Sequence, residues 1–154
     1  MIYHSLFHAV MTYGIIFWGN SCHSTQAFRM QKKAIRIIME HGNWESCRNL
    51  FKELNILPFM LEYIIPLLTL VSNNREKYFA NSEIHNINAR HISNLHLPRA
   101  HLNIYQKGVY YSGIKIFNSV PQDIKTYIDN PRTFKKAGKI FIYELLLLIK
   151  WILW

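Results

Sequence analysis

Residues 24–40 constrain the fold more than any other stretch. Ser24 or Thr25 can cap a helix that runs to about Glu40, and Gly42 stands just beyond its end. Ala27, Met30, Ala34, Ile37 and Ile38 fall on one face at helical spacing. Arg29, Lys32, Lys33 and Arg36 fall at i, i+3, i+4 and i+7 on the opposite face. Ordinary solvated faces mix signs to gain i,i+4 pairing, whereas like charges at these spacings repel. Four cations without an interleaved acid are better explained by an anionic partner than by solvent alone.

The same period runs through most of the chain. Residues 3–18 are dense in apolar side chains and stop at Gly19-Asn20. They read either as a buried helix or as a helix that breaks near Gly14 into a short extended piece, and periodicity does not decide between them. A third helix follows Asn43 or Ser46, with Cys47, Leu50, Phe51 and Leu54 at helical spacing and a stop before Pro58. A fourth opens at Pro58, a favoured first-turn residue, and carries Tyr63, Leu67, Leu70 and Val71 towards Asn73-Asn74. Pro66 lies inside it, at a cost of roughly 3 kcal/mol, which predicts a kink or two shorter helices.

Beyond Ser82 the composition shifts to Asn, His and Arg, with Pro98, as in a long connection of little regular structure. Residues 109–117 turn apolar and aromatic again and end at Asn118-Ser119-Val120-Pro121. A short helix over 121–128 and a last helix from near Pro131 to the C-terminus complete the reading. The expectation is an all-α chain: a helical unit over 1–83, a connection over 84–107, and a smaller, mainly helical unit over 108–154.

A chain of 154 residues suits one ordinary domain or two small helical units, and its apolar half excludes a disordered tail. A formal charge of +9 favours a polyanion, although charge alone is equally compatible with simple solubility. Two cysteines, Cys22 and Cys47, provide no disulfide framework, which suits a reducing compartment. No secretory signal is evident at the N-terminus. The apolar stretch 140–154 is short for a membrane helix and carries Glu144 and Lys150, so it reads as a buried or interface helix.

No constellation of residues supports catalysis. His85, His91, His96 and His101 are spaced five or six residues apart, too widely for the tight pairs that hold zinc. Cys22-His23 has no partner pair, the glycines are isolated, and Cys47 sits on an apolar stripe as a core thiol would. No catalytic residue, metal site or cofactor is expected. The interleaved rings and cations of residues 105–111 and 90–99 could stack bases and neutralise phosphates. The simpler reading has Tyr110, Tyr111 and Phe117 packing a second core, with Lys107 and Arg90 exposed.

An ordered series of blocks adds a resemblance. It runs Tyr13-Gly14-Ile15-Ile16-Phe17-Trp18-Gly19-Asn20, then Gln31-Lys32-Lys33-Ala34-Ile35-Arg36, then Ser46-Cys47-Arg48 with Leu50-Phe51-Lys52. Ile56-Leu57-Pro58, Tyr63-Ile64, Leu95-His96-Leu97-Pro98, Lys107-Gly108-Val109-Tyr110-Tyr111, Gly113-Ile114-Lys115 and Phe117-Asn118 follow in order. Over about residues 3–136 the chain resembles the segment beyond the polymerase core in reverse transcriptases of non-LTR retrotransposons, the jockey-like mobile elements of insects. Val120 stands where that family has leucine before proline, Ala89 where it has threonine, and the ending departs from its aromatic–acidic close.

The resemblance implies a thumb-like helical bundle over 1–83. It also implies that Arg29, Lys32, Lys33 and Arg36 contact phosphates of a nucleic-acid duplex without reading sequence. A polymerase needs clustered carboxylates for two metal ions, and the aspartates here are Asp123 and Asp129, far downstream. The expected function is a C-terminal reverse-transcriptase fragment, intracellular and not an enzyme by itself, whose partner is nucleic acid and not a membrane. The alternative is a non-enzymatic interaction module that self-associates through exposed apolar helices.

Overall fold

The helical period of the sequence carries through. The computed structural model describes residues 3–84, 94–127, 130, 133, 136 and 137, and every regular element among them is a helix. The fold is all-α. An isolated antiparallel bridge between Ala80 and Leu95 is the β feature of the described residues. The chain divides into two compact units, Met1–Tyr63 and Ile64–Trp154.

The first unit opens with a π-helical stretch, Tyr3–His8, that runs into α1 (Ala9–Thr12). Gly14, at φ +59°, breaks the helix in the left-handed region that costs glycine nothing. The chain then re-enters a helix, α2 (Ile15–Trp18), rather than an extended piece. Tyr3, Met11 and Ile15 face the core, whereas Leu6, Val10, Tyr13 and Phe17 are exposed. A buried helix is therefore not what forms; one narrow stripe is buried. Gly19 closes α2 against Tyr63, where a Cβ would lie 2.3 Å from the ring.

Helix α3 spans Ser24–Ile38. Its capping differs from the sequence expectation at both ends. The N-cap position is His23, and the Ser24 hydroxyl donates to the Ser21 carbonyl at 2.8 Å. At the C-terminus, Glu40 takes the left-handed position at φ 55° and Gly42 lies outside the cap. The Glu40 and His41 amides reach the carbonyls of Ile37 and Arg36 at 3.3 and 2.9 Å, the paired bonds of a Schellman motif. Helix α4 (Cys47–Glu53) starts on Ser46, as its sequence indicates, and ends in the same way, with Asn55 at φ 52° and Ile56 bonded to the Phe51 carbonyl.

The buried line of α3 is Phe28, Gln31 and Ile35. The expected apolar face is displaced from it by about one residue: Met30, Ile37 and Ile38 are exposed, and Ala27 and Ala34 are half-buried. The contacts from α4 explain the difference. Phe28 stacks on Phe51 with ring centroids 6.3 Å apart, and the Cys47 thiol donates to the Lys32 carbonyl at 3.7 Å. Gln31, fully buried, joins three separate segments. Its Nε2 donates to the Tyr3 hydroxyl at 2.9 Å and to the Leu57 carbonyl at 2.8 Å, and its Oε1 accepts from the Phe59 amide at 2.8 Å.

Helix α5 (Phe59–Asn73) contains Pro66 and still forms one element, not two. Phe59, Leu61, Tyr63, Ile65, Leu67, Leu68 and Val71 are all buried along it. At about 1.5–3 kcal/mol per buried apolar side chain, their burial outweighs the roughly 3 kcal/mol that an interior proline costs.

In the second unit, α8 (Val109–Ser119) lies against the C-terminal half of α5. Gly113 allows the approach, because a Cβ there would be 2.8 Å from a Val71 methyl. After a 3₁₀ turn (Arg75–Lys77), the Tyr78 ring stacks on Tyr110 at 5.0 Å and 10°, and α6 (Asn81–Ile84) follows. Of the expected 84–107 connection, residues 85–93 lie outside the described residues. The remainder is tied into this unit. Leu95 is 1 % exposed, and the Asn118 side chain bonds both its amide, at 2.9 Å, and its carbonyl, at 2.8 Å. Helix α7 (Asn103–Gln106) precedes α8, and α9 (Gln122–Lys125) follows Pro121. Most of the last expected helix, including 138–154, lies outside the described residues.

Candidate nucleic-acid interface

All four cations of α3 occupy one side of that helix, as their spacing requires. The structure places this side next to the buried line rather than opposite it, one residue on from Phe28, Gln31 and Ile35. The four side chains therefore differ in surroundings. Arg29 and Lys33 are exposed, whereas Lys32 and Arg36 are half-buried along their stems. The Lys32 ammonium lies 4.7 Å from the centroid of the Phe28 ring, a cation–π contact. Arg36 donates from Nε and Nη2 to the Glu45 carbonyl, at 3.0 and 2.9 Å. It thus braces the 42–46 turn that leads into α4.

Among the described residues, Arg29, Lys33 and Arg36 form no ion pair with a carboxylate. Arg29 and Lys33 thus present positive charge to solvent. The field of the stripe also reaches the buried Cys47 thiol. Burial raises that thiol above its ordinary value, while Arg36 and Lys32 oppose the rise. A protonated, buried thiol bonded to a backbone carbonyl is a core group and not a nucleophile.

The other sequence candidates do not converge. Asp123 is exposed on α9, and Asp129 lies outside the described residues, as do His85 and His91. No group of three His, Cys, Asp or Glu able to hold a metal occurs among the described residues. No helix there is long and apolar enough to cross a membrane. The aromatic–basic segment splits. Phe117 is core, Tyr111 is half-buried, and Tyr105 is 66 % exposed. Lys107 is exposed, and Arg90 lies outside the described residues.

No known family model, characterised protein or solved structure matches this chain. An exposed guanidinium and an exposed ammonium one helical turn apart, backed by two further cations, suit the repeating charge of a phosphate backbone. Contacts of this kind to phosphate position a partner and carry no sequence information.

Three residues important to the fold were not prominent in the sequence. Gln31 and Asn118 are polar residues whose partners lie 23 or more positions away. Lys125 is part-buried, donating to Asn94 Oδ1 and the Asn118 carbonyl at 3.2 Å each, and burial lowers its pKa.

Proposed function

We propose that this chain is the non-catalytic C-terminal portion of a reverse transcriptase from a jockey-like non-LTR mobile element, and that it binds nucleic-acid duplexes through α3 without sequence preference. The ordered blocks of the sequence and the all-α fold support the origin. The observation that carries the binding reading is the side of α3 formed by Arg29, Lys32, Lys33 and Arg36, on which Arg29 and Lys33 are exposed and form no ion pair among the described residues. Arg29 and Lys33 make the contacts that are free of structural duty, and Arg36 anchors the turn beside them.

Salt dependence tests this. Each neutralised phosphate contributes a log–log slope of about −0.9 on duplex DNA. An Arg29→Ala/Lys33→Ala variant should therefore lose about 1.8 of the wild-type slope. A wild-type affinity that does not change with salt would refute the proposal.

A second reading rests on a different observation. Leu6, Val10, Tyr13 and Phe17 in the N-terminal helices and Met30 and Ile37 on α3 are exposed apolar side chains of the first unit. Exposed patches of this kind drive association. Light scattering separates the two readings: a defined dimer that Val10→Glu dissociates supports an interaction module, and a clean monomer at all concentrations refutes it.

A further inference from the structure

The second unit contains a cavity that the α3 reading leaves unused. It has a volume of about 630 Å³ and lies between the 98–102 segment, α7 and the start of α8. Arg99, His101, Tyr105, Tyr110 and Tyr111 contribute its polar groups and rings, and Leu102, Ile104 and Val109 are among its apolar wall. Pockets of roughly 300–1,000 Å³ with apolar walls and a few polar groups are the usual form of a small-ligand site.

Hydrogen bonds hold the walls in place. Gln106 Nε2 donates to the Ala100 carbonyl at 2.8 Å, and the Ser112 hydroxyl donates to the Gln106 carbonyl at 3.2 Å. Tyr110 is fixed from behind by its stack on Tyr78. A ligand would meet a largely preformed site and incur little ordering cost.

The charge is one-sided. No Asp or Glu lines the cavity, and among the described residues neither Arg99 nor His101 forms an ion pair. Planar rings beside an unpaired guanidinium suit a planar ring that carries an anion. A guanidinium forks onto phosphate oxygens, and every nucleobase has a π-face that stacks on tyrosine. The formal charge of +9 raises the local concentration of such anions.

We infer that this cavity binds one unpaired nucleotide, with its base against the tyrosine rings and its phosphate at Arg99. The site uses neither α3 nor duplex geometry, so it stands or falls separately from the reading above. The nucleotide can be free or part of a single strand, and the recognition chemistry is the same.

Fluorescence anisotropy of the full chain with a labelled, unstructured oligothymidylate tests the inference. Tyr105→Ala and Arg99→Gln change exposed side chains, so the helical fold, checked by circular dichroism, should persist. Each should weaken oligothymidylate binding roughly 5- to 100-fold, the range for losing one stacked base, and leave duplex binding unchanged. Tyr105→Phe should retain the affinity. An oligothymidylate containing 5-iodouracil should photocrosslink within residues 98–111. Competition by thymidine monophosphate would identify a free nucleotide as the source, and competition by the oligonucleotide alone would identify a strand. Wild-type single-strand affinity in both Tyr105→Ala and Arg99→Gln, or equal affinity for a wholly abasic strand, would overturn the inference. So would displacement of the oligonucleotide by an acidic aromatic peptide but not by any nucleotide. Failure of the α3 reading would appear elsewhere, as duplex binding unaffected by Arg29→Ala/Lys33→Ala.

Discussion

Replacing Gln31 by leucine should cost more stability than any single change to the basic stripe. Leucine has nearly the same volume, so the cavity term is small and the hydrogen bonds dominate. Three are lost: those to Tyr3 Oη, the Leu57 carbonyl and the Phe59 amide. The Tyr3 hydroxyl loses one donor. The Phe59 amide is in the first turn of α5, where no intrahelical acceptor exists, on a residue that is fully buried. Each orphaned buried group costs about 1–3 kcal/mol, and the extra apolar burial of leucine returns about 1 kcal/mol. The net loss is about 2–8 kcal/mol. With a urea dependence of about 2 kcal/mol/M, the unfolding midpoint should fall by roughly 1–4 M, and the Phe59 amide should lose its protection against hydrogen exchange.

Gln31→Glu sharpens the test. Its carboxylate keeps the acceptor for Phe59 but brings negative charge to the Leu57 carbonyl, and burial raises its folded pKa above the unfolded value of about 4.3. The variant should be least impaired below that pH and lose stability as pH rises through the folded pKa. A Gln31→Leu protein within about 0.5 kcal/mol of wild type, smaller than one orphaned group, would refute the claim that this side chain secures the start of α5.

Three other outcomes follow from particular contacts. Gly113→Ala should lose about 1 kcal/mol, because about 1–3 kcal/mol of overpacking against Val71 exceeds the ~1 kcal/mol gain in helix propensity; in a Val71→Ala background the same change should be stabilising, as a double-mutant cycle would show. Glu40→Gly should raise stability by about 0.5–1 kcal/mol in urea unfolding, since it relieves a left-handed residue at the end of α3. Burial raises the Tyr3 phenol above its ordinary 10.0; the Gln31 hydrogen bond opposes this and Glu62 adds to it. The stability linked to that group is complete below its unfolded pKa and lost as pH rises through the folded one, so Tyr3→Phe should flatten the alkaline limb of a stability–pH curve.

The helices could be read from sequence where their signals are local. Ser46 before Cys47, the run ahead of Pro58 and the break at Gly14 each depend on neighbours a few residues apart. The core face of α3 could not be read in that way. Apolar residues occur on more than one side of this helix, and the side that is buried depends on where α4 brings Phe51 and Cys47. Gln31 counted as polar in the pattern and is fully buried, because its three partners come from Tyr3, Leu57 and Phe59. The stop at Glu40 was hidden for another reason: any residue can take the left-handed position at a cost, and Gly42 offered a closer match to the rule.

The candidate interface shows the same division. The i, i+3, i+4, i+7 spacing put four cations on one side, and the structure keeps them there. The bond from Arg36 to a backbone carbonyl nine residues away gives no sequence signal, yet it sets Arg36 apart from the exposed Arg29 and Lys33. The cavity in the second unit was present in the sequence only as interleaved rings and cations. Whether those rings pack or line a surface depends on Gly113 and Tyr78, which set where α8 lies.

The pairing of Asn118 with Leu95 has a consequence for the order of assembly. One side chain supplies the donor and the acceptor that a neighbouring strand would otherwise provide, across 23 residues of chain. Closing a loop of that length adds about 2.8 kcal/mol of entropy cost before either bond forms, and Asn118 is not in position until α8 exists. The tie therefore predicts that the helix condenses first and that the 94–96 segment docks onto it afterwards. Truncating Asn118 should accelerate unfolding and leave the folding rate almost unchanged, so this tie governs how long the second unit stays folded more than how quickly it forms.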